Sequence, residues 1–229
     1  MKNFANIIFL LIGRPIKIKY LDNQTVDLNE MPKVGMEAIR KKQLIEATIS
    51  SIHERGFSDI SIRMISQKAG VSAGIVHHYF QDKNDLLQAT MRKMLEDLRL
   101  SVLHHLKGAT SPEQRIEALI SAYLDAHLFE PETVSAWLAF WAHVPHSDRL
   151  KRLQRVYEKR QMSTFRHALK NLLPAEQAEK AARGMVALID GLWIRTSLQE
   201  NVMDCEQARE IVQQYYEMLL HQHNNIKLG

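Results

Sequence analysis

Three tryptophans and one carboxylate are the residues of this chain best suited to chemistry. Trp137 and Trp141 stand four residues apart with Phe140 between them, and Trp193 follows Asp190 by three. At helical spacing each set shares one face. Indole faces attract cations, and each desolvated contact with a quaternary ammonium contributes on the order of 2 kcal/mol. Asp190 sits in the apolar run Ala187 to Trp193, where a carboxylate is costly unless a cation or hydrogen-bond donors satisfy it. An aromatic stripe at this spacing also builds an ordinary helical core, so it is the carboxylate that turns the reading toward a cation site. Tyr123 and Phe140 are further candidates for its wall.

A second constellation lies nearer the N-terminus, in Arg63, Ser72, Ala73, Gly74, His77, His78, Tyr79 and Lys83. Ala73 and Gly74 open a short helix with almost no side chain, which lets a backbone approach the wall of a DNA groove. Base edges are read by the N-terminal part of such a helix and phosphates by residues flanking it. An ammonium at Lys83, beside a helix N-terminus capped by Asp82, is suited to a phosphate. The same pattern also allows His77, His78 and Tyr79 to be the partly buried polar end of a short helix.

Other chemistries find little support. The eleven His include His77-His78, His104-His105 and the pair His221 and His223, none joined by a Glu or Asp at zinc-binding helical spacing. There is no Gly-rich phosphate loop and no nucleophile elbow, so neither catalysis, a metal nor a cofactor is expected. The single Cys205 excludes an internal disulfide or a cysteine metal cage and suits a reducing cytoplasm. The longest early apolar run, Phe4 to Ile12, is too short for a spanning helix of about 20 residues, and no signal-peptide cleavage site follows it.

Positioning both constellations falls to helices. Nine Gly and six Pro in 229 residues, with 45% hydrophobic residues, favour long helices over turn-rich sheets. An all-α fold of about nine helices is expected. A first helix over 36–55 carries Ile45, Ile49 and Ile52 as its inward stripe, a second over 61–68 is capped through Ser58 to Ser61, and a third over 73–79 is capped by Ser72. Gly70 supplies the left-handed residue that a sharp interhelical turn requires. Beyond Lys83 the breaks at Gly108, Pro131, Pro145, Pro174 and near Asp204 predict helices over 83–107, 112–129, 132–144, 147–172, 175–199 and 204–223. The formal charge of +4 is concentrated early, with 11 Lys and Arg against 8 Asp and Glu in residues 31–100 and 15 against 15 beyond. That excess mildly favours an anionic partner there.

The run Gly70-Val71-Ser72-Ala73-Gly74, followed by His78-Tyr79-Phe80-Gln81-Asp82-Lys83 and Leu86-Leu87, resembles the TetR family of repressors. That resemblance implies a three-helix helix-turn-helix domain over 31–83 and a helical ligand-binding and dimerisation domain over 84–229. It also implies a third helix that reads a palindromic double-stranded operator, with Tyr79 and Lys83 at phosphates. The family usually has Tyr where this chain has His77, so a hydroxyl contact would become an imidazole contact. In the family the last two helices pair two copies. Val186, Leu188, Ile189, Leu192, Ile211, Val212, Tyr215 and Leu219 are too apolar for a monomer to expose on two terminal helices.

Met31 to Met36, Ala136 to Ala142 and Ala187 to Trp193 further resemble the choline-responsive branch of that family, the regulators of glycine betaine synthesis. Implied are choline as the ligand and osmoprotectant genes as the target. A similar repressor sensing another lipophilic cation fits the aromatic residues as well. The resemblance begins at Met31, and residues 1–30 are expected to be a non-native or disordered extension.

Overall fold

A computed structural model describes residues 33–198 and 203–228; the expectation for residues 1–30 falls outside them. Among the described residues there are nine α-helices and no strand. In chain order they are α1 (Lys33–Arg55), α2 (Ile62–Lys68), α3 (Ala73–Tyr79), α4 (Lys83–Leu106), α5 (Pro112–Tyr123), α6 (Pro131–His143), α7 (Asp148–Leu169), α8 (Ala175–Leu198) and α9 (Cys205–Leu228). Single 3₁₀ turns at Ala126–Phe129 and Val144–His146 flank α6. Residues 43–229 form one compact unit.

Local chemistry sets most boundaries. Ser61, Ser72, Asp82, Ser111 and Ser147 each accept a backbone N–H of the helix they precede, at 2.7–3.4 Å. Ser111 and Gln114 complete a reciprocal capping box, satisfying two donors that a helix start leaves orphaned. Between α2 and α3 the chain turns through Gly70 at φ 67°. Gly70 N–H donates to Gln67 O at 3.1 Å and Val71 N–H to Ser66 O at 2.9 Å, the paired bonds of a Schellman stop.

Two expectations need correction. Leu44, Ala47, Thr48, Ser51 and Ile52 form the buried face of α1, while Ile45 and Ile49 are only half-buried. Thr48 and Ser51 tolerate the core because their hydroxyls donate to the carbonyls of Leu44 (2.7 Å) and Ala47 (2.6 Å). The second correction concerns the helix expected over 112–129, which stops at Tyr123. Asp125 accepts from His127 N–H at 2.9 Å and caps the 3₁₀ turn, and three side chains from elsewhere occupy the carbonyls that a continuing helix would use. Ser101 donates to Ala122 O at 3.1 Å, the Trp193 indole to Tyr123 O at 3.2 Å, and Arg209 to Leu124 O at 3.0 Å.

Substitution at Gly70 isolates the turn, because a Cβ there meets nothing within 4 Å and only the backbone objects. Gly70→Ala is expected to cost about 1 kcal/mol in urea unfolding, whereas Gly74→Ala, where an added Cβ meets only Ser72 Oγ in ordinary contact and φ is not positive, is expected to cost none. Equal stability of the two variants would contradict this account of the turn.

Candidate functional site

On α3 the exposed surface is formed by Ser72, Ala73, Gly74, His77 and His78, with Arg63 of α2 also exposed; Tyr79 is half-buried with its ring edge-on to His78 at 4.9 Å. Val76 and Phe80 face the other way, at 0% and 5% exposure, and anchor the helix on Ile65 and the rest of the small core. Gly74 has no internal reason to lack a side chain, since the nearest atom to an added Cβ is Ser72 Oγ at 3.8 Å. An omission that the fold does not require suits an external surface that must come close.

Lys83 departs from expectation. Its ammonium donates to the carbonyls of Phe57 (2.8 Å), Ser58 (3.2 Å) and Ile60 (3.0 Å) and lies 4.4 Å over the Phe57 ring. All three N–H donors are thereby taken. Desolvation lowers its pKa. The side chain ties the α1–α2 turn to the start of α4 and has no donor left for a phosphate.

In the C-terminal helices the predicted aromatic residues do converge. Trp137 of α6 is the hub, its ring centroid 5.8 Å from Trp141, 5.8 Å from Trp193 and 5.6 Å from Tyr157. Tyr123, Trp137, Trp141, Tyr157, Asp190 and Trp193, with Leu98 and Ile189, line one small cavity. Phe140 is not in that lining; fully buried, it packs behind Trp137 at 5.9 Å. Tyr157, Leu98 and Ile189 were absent from the sequence-based set. For Tyr157 the signal was present, because Leu153, Tyr157, Gln161 and Phe165 recur every four residues on the otherwise charged α7.

The cavity holds only about 10 Å³, the lower limit for one water, so the rings are closed upon each other. Its electrostatics favour a cation. Burial pushes the Asp190 carboxyl up from 3.8 to about 6, with the charge of Glu158 adding to the rise and the nearby Gln161 amide pulling the other way. Tyr123 is raised as well, by burial first and by Asp190 second. Among the described residues the Trp137 indole N–H has no hydrogen-bond partner.

The helix that carries two of these tryptophans also touches the N-terminal helices. From α6, Glu132 accepts from Ser50 at 3.4 Å, Ser135 pairs with His53 Nδ1 at 2.9 Å, and His143 packs edge-on against Phe57 at 4.3 Å. No described helix is long and apolar enough to cross a membrane.

Comparison with known proteins agrees on both halves. Residues 44–90 match the tetR family of bacterial regulatory proteins, and residues 112–221 the C-terminal domain of BetI-type transcriptional repressors. The HTH-type transcriptional regulator BetI of Pectobacterium atrosepticum is 44% identical over 192 residues, covering 83% of this chain and 98% of the relative. That of Escherichia coli K12 is 43% identical over 187 residues, covering 81% and 96%. Among solved structures, a TetR transcription regulator from Haloarcula marismortui superposes with a TM-score of 0.71 at 22% identity, covering 79% of this chain and 98% of that one. A Saccharomonospora viridis protein crystallised with choline gives 0.69 at 19%, covering 79% and 96%. These two establish the fold alone.

The raised carboxyl has a measurable consequence. Between about pH 4 and 6 the folded chain holds a proton on Asp190 that the unfolded chain has lost, so its contribution to stability falls as pH rises through that window. Asp190→Asn is expected to stabilise the unliganded protein at pH 7.5 by on the order of 1–3 kcal/mol, with no gain at pH 4. Identical melting of variant and parent at pH 7.5 would contradict the burial of this charge.

Proposed function

The chain belongs to the TetR family of DNA-binding transcriptional regulators, with a BetI-type C-terminal domain, and on that premise we propose that it represses glycine betaine synthesis genes until choline occupies the aromatic box. The observation that carries the proposal is the convergence of Trp137, Trp141, Trp193, Tyr157 and Tyr123 on Asp190. Aromatic faces and one carboxylate match a trimethylammonium group, which has no N–H to donate and is held by cation–π contact and charge. The resemblance of Ala136 to Ala142 and Ala187 to Trp193 to the choline-responsive branch supports choline over other cations.

The operator is read by α3, with Ser72, Ala73, Gly74 and His78 at the major groove and Arg63, His77 and Tyr79 toward phosphates. Two copies are joined through α8 and α9, bringing paired α3 helices about 34–36 Å apart on a palindrome. Support for the dimer comes from apolar residues left outward, Ile194, Leu198, Ile211 and Met218, of which Leu198 and Met218 are 74% and 69% exposed. Ile189, Leu192 and Val212, in contrast, are spent inside the protomer.

Opening of the closed box separates Trp137 and Trp141 from Trp193, which shifts α6 and, through Leu98, α4. Both helices reach the DNA-reading half, α6 at Ser50, His53 and Phe57 and α4 at Lys83. Choline can move this equilibrium only by binding one state more tightly, and couplings of about 1–3 kcal/mol are typical.

Gel shifts on DNA upstream of its own gene, at fixed salt, are expected to show choline weakening operator binding by about 5- to 150-fold. Unchanged affinity would overturn the coupling. Trp137→Ala and Trp193→Ala are each expected to weaken choline binding at least tenfold by calorimetry, while tetraphenylphosphonium binding tighter than choline would favour a broader cation sensor. Leu198→Glu with Met218→Glu is expected to give a monomer in light scattering; a persisting dimer would place the interface elsewhere.

A further inference from the structure

Beside the closed box lies a larger cavity. It is a cleft of about 480 Å³ between α4 and α7, and Leu98, Tyr123 and Tyr157 are walls of both. Much of its lining is aliphatic, but its polar groups are unusual. Gln161 is 1% exposed and lines the cleft; its amide lies close enough to Asp190 and Tyr157 to favour their ionised forms, but among the described residues neither its nitrogen nor its oxygen makes a hydrogen bond of full geometry. A buried amide held only loosely by a carboxyl and a phenol of the box keeps hydrogen-bonding capacity that a ligand lying between box and cleft can take up.

At the rim stand Arg92 and Arg99 from α4 and Arg160 from α7, against the single acid Glu96. Glu96 is held by Arg99 through two bonds of 2.6 and 2.7 Å, and neither Arg92 nor Arg160 makes a salt bridge among the described residues. The cleft therefore carries uncompensated positive charge at its mouth, and the box carries the negative charge of Asp190. Tyr157, Arg160 and Gln161 lie within one turn of α7, about 5–6 Å along the axis, so the two charges face a molecule only a few bonds long.

We propose that box and cleft are two halves of one ligand site that takes the phosphate ester of a quaternary-ammonium alcohol. The trimethylammonium head fills the box, the ester oxygen passes Gln161 and accepts from its amide N–H, and the phosphate lies against Arg92 and Arg160. Choline fills the inner half and leaves the outer half empty. The inference rests on the cation reading of the box, and the ligands below separate the two.

Calorimetry on the full-length protein would compare tetramethylammonium, choline, phosphocholine and inorganic phosphate. Phosphocholine is expected to bind at least as tightly as choline, and inorganic phosphate alone not to bind. In Arg92→Ala with Arg160→Ala, both at exposed positions, phosphocholine is expected to lose about tenfold while choline stays within about twofold. Gln161→Leu is expected to shrink the preference for choline over tetramethylammonium and to leave tetramethylammonium unchanged. Phosphocholine binding more than tenfold weaker than choline, or an arginine variant that weakens both equally, overturns the outer half and leaves the box intact. Failure of every quaternary ammonium overturns both. Phosphatidylcholine vesicles present the same headgroup, and co-flotation of the protein with them would overturn the free phosphate ester as the occupant.

Discussion

The end of α5 is the constraint on which the rest of the ligand domain depends. A helix terminus leaves its last carbonyls without partners, and here they are taken one by one by Ser101 of α4, Trp193 of α8 and Arg209 of α9. Three helices distant in sequence are thereby fixed to one point. The indole that satisfies Tyr123 O belongs to the box, and Tyr123 itself is a wall of it. Geometry of the aromatic box and termination of the helix are one event. Continuation of α5 toward residue 129 would give Tyr123 O to a backbone N–H and release Trp193.

Burial of Asp190 sets the second condition. Its carboxyl sits near 6 because burial penalises the charge, with Glu158 adding to the rise, so ionised Asp190 carries an electrostatic cost that a cation bound there, as proposed above, would relieve. The same rings that would surround the ligand close on each other in its absence, leaving about 10 Å³. Binding must therefore separate them, and a site that has to open in order to fill is coupled by construction to the helices carrying its walls.

Much of this was legible in the sequence because it depends on local rules. Ser61, Ser72 and Asp82 announce helix starts through short-range hydrogen bonds, and Gly70 announces a left-handed turn. The aromatic set was legible in part, since Trp137 and Trp141 share a face by spacing and Asp190 is conspicuous among apolar neighbours. Tyr157 and Gln161 were not found: their four-residue recurrence with Leu153 and Phe165 marks a buried face of α7, but which partners that face meets is set only when α7 is seen against α6 and α8. Lys83 was misread for a related reason. Its position at a helix N-terminus suggested a phosphate, but the carbonyls of Phe57, Ser58 and Ile60 that claim it belong to a turn more than twenty residues earlier.

That turn supplies the remaining step between pocket and DNA. Phe57 is held between the Lys83 ammonium at 4.4 Å and the His143 ring at 4.3 Å, so one side chain touches the first residue of α4 and the last residue of α6. Both helices carry walls of the box, α4 through Leu98 and α6 through Trp137 and Trp141. From sequence, the long α4 is the expected lever because it begins at Lys83, read there as a phosphate contact, and ends in the C-terminal helices. The structure adds α6, which meets the α1–α2 turn at the same residue that Lys83 grips. A displacement of either helix reaches α2 and α3 through Phe57, whereas a change that moves both in concert keeps that contact intact. In the proposed opening, α6 is displaced directly at Trp137 and Trp141 and α4 only through Leu98, so unequal shifts of the two helices would be felt at this junction.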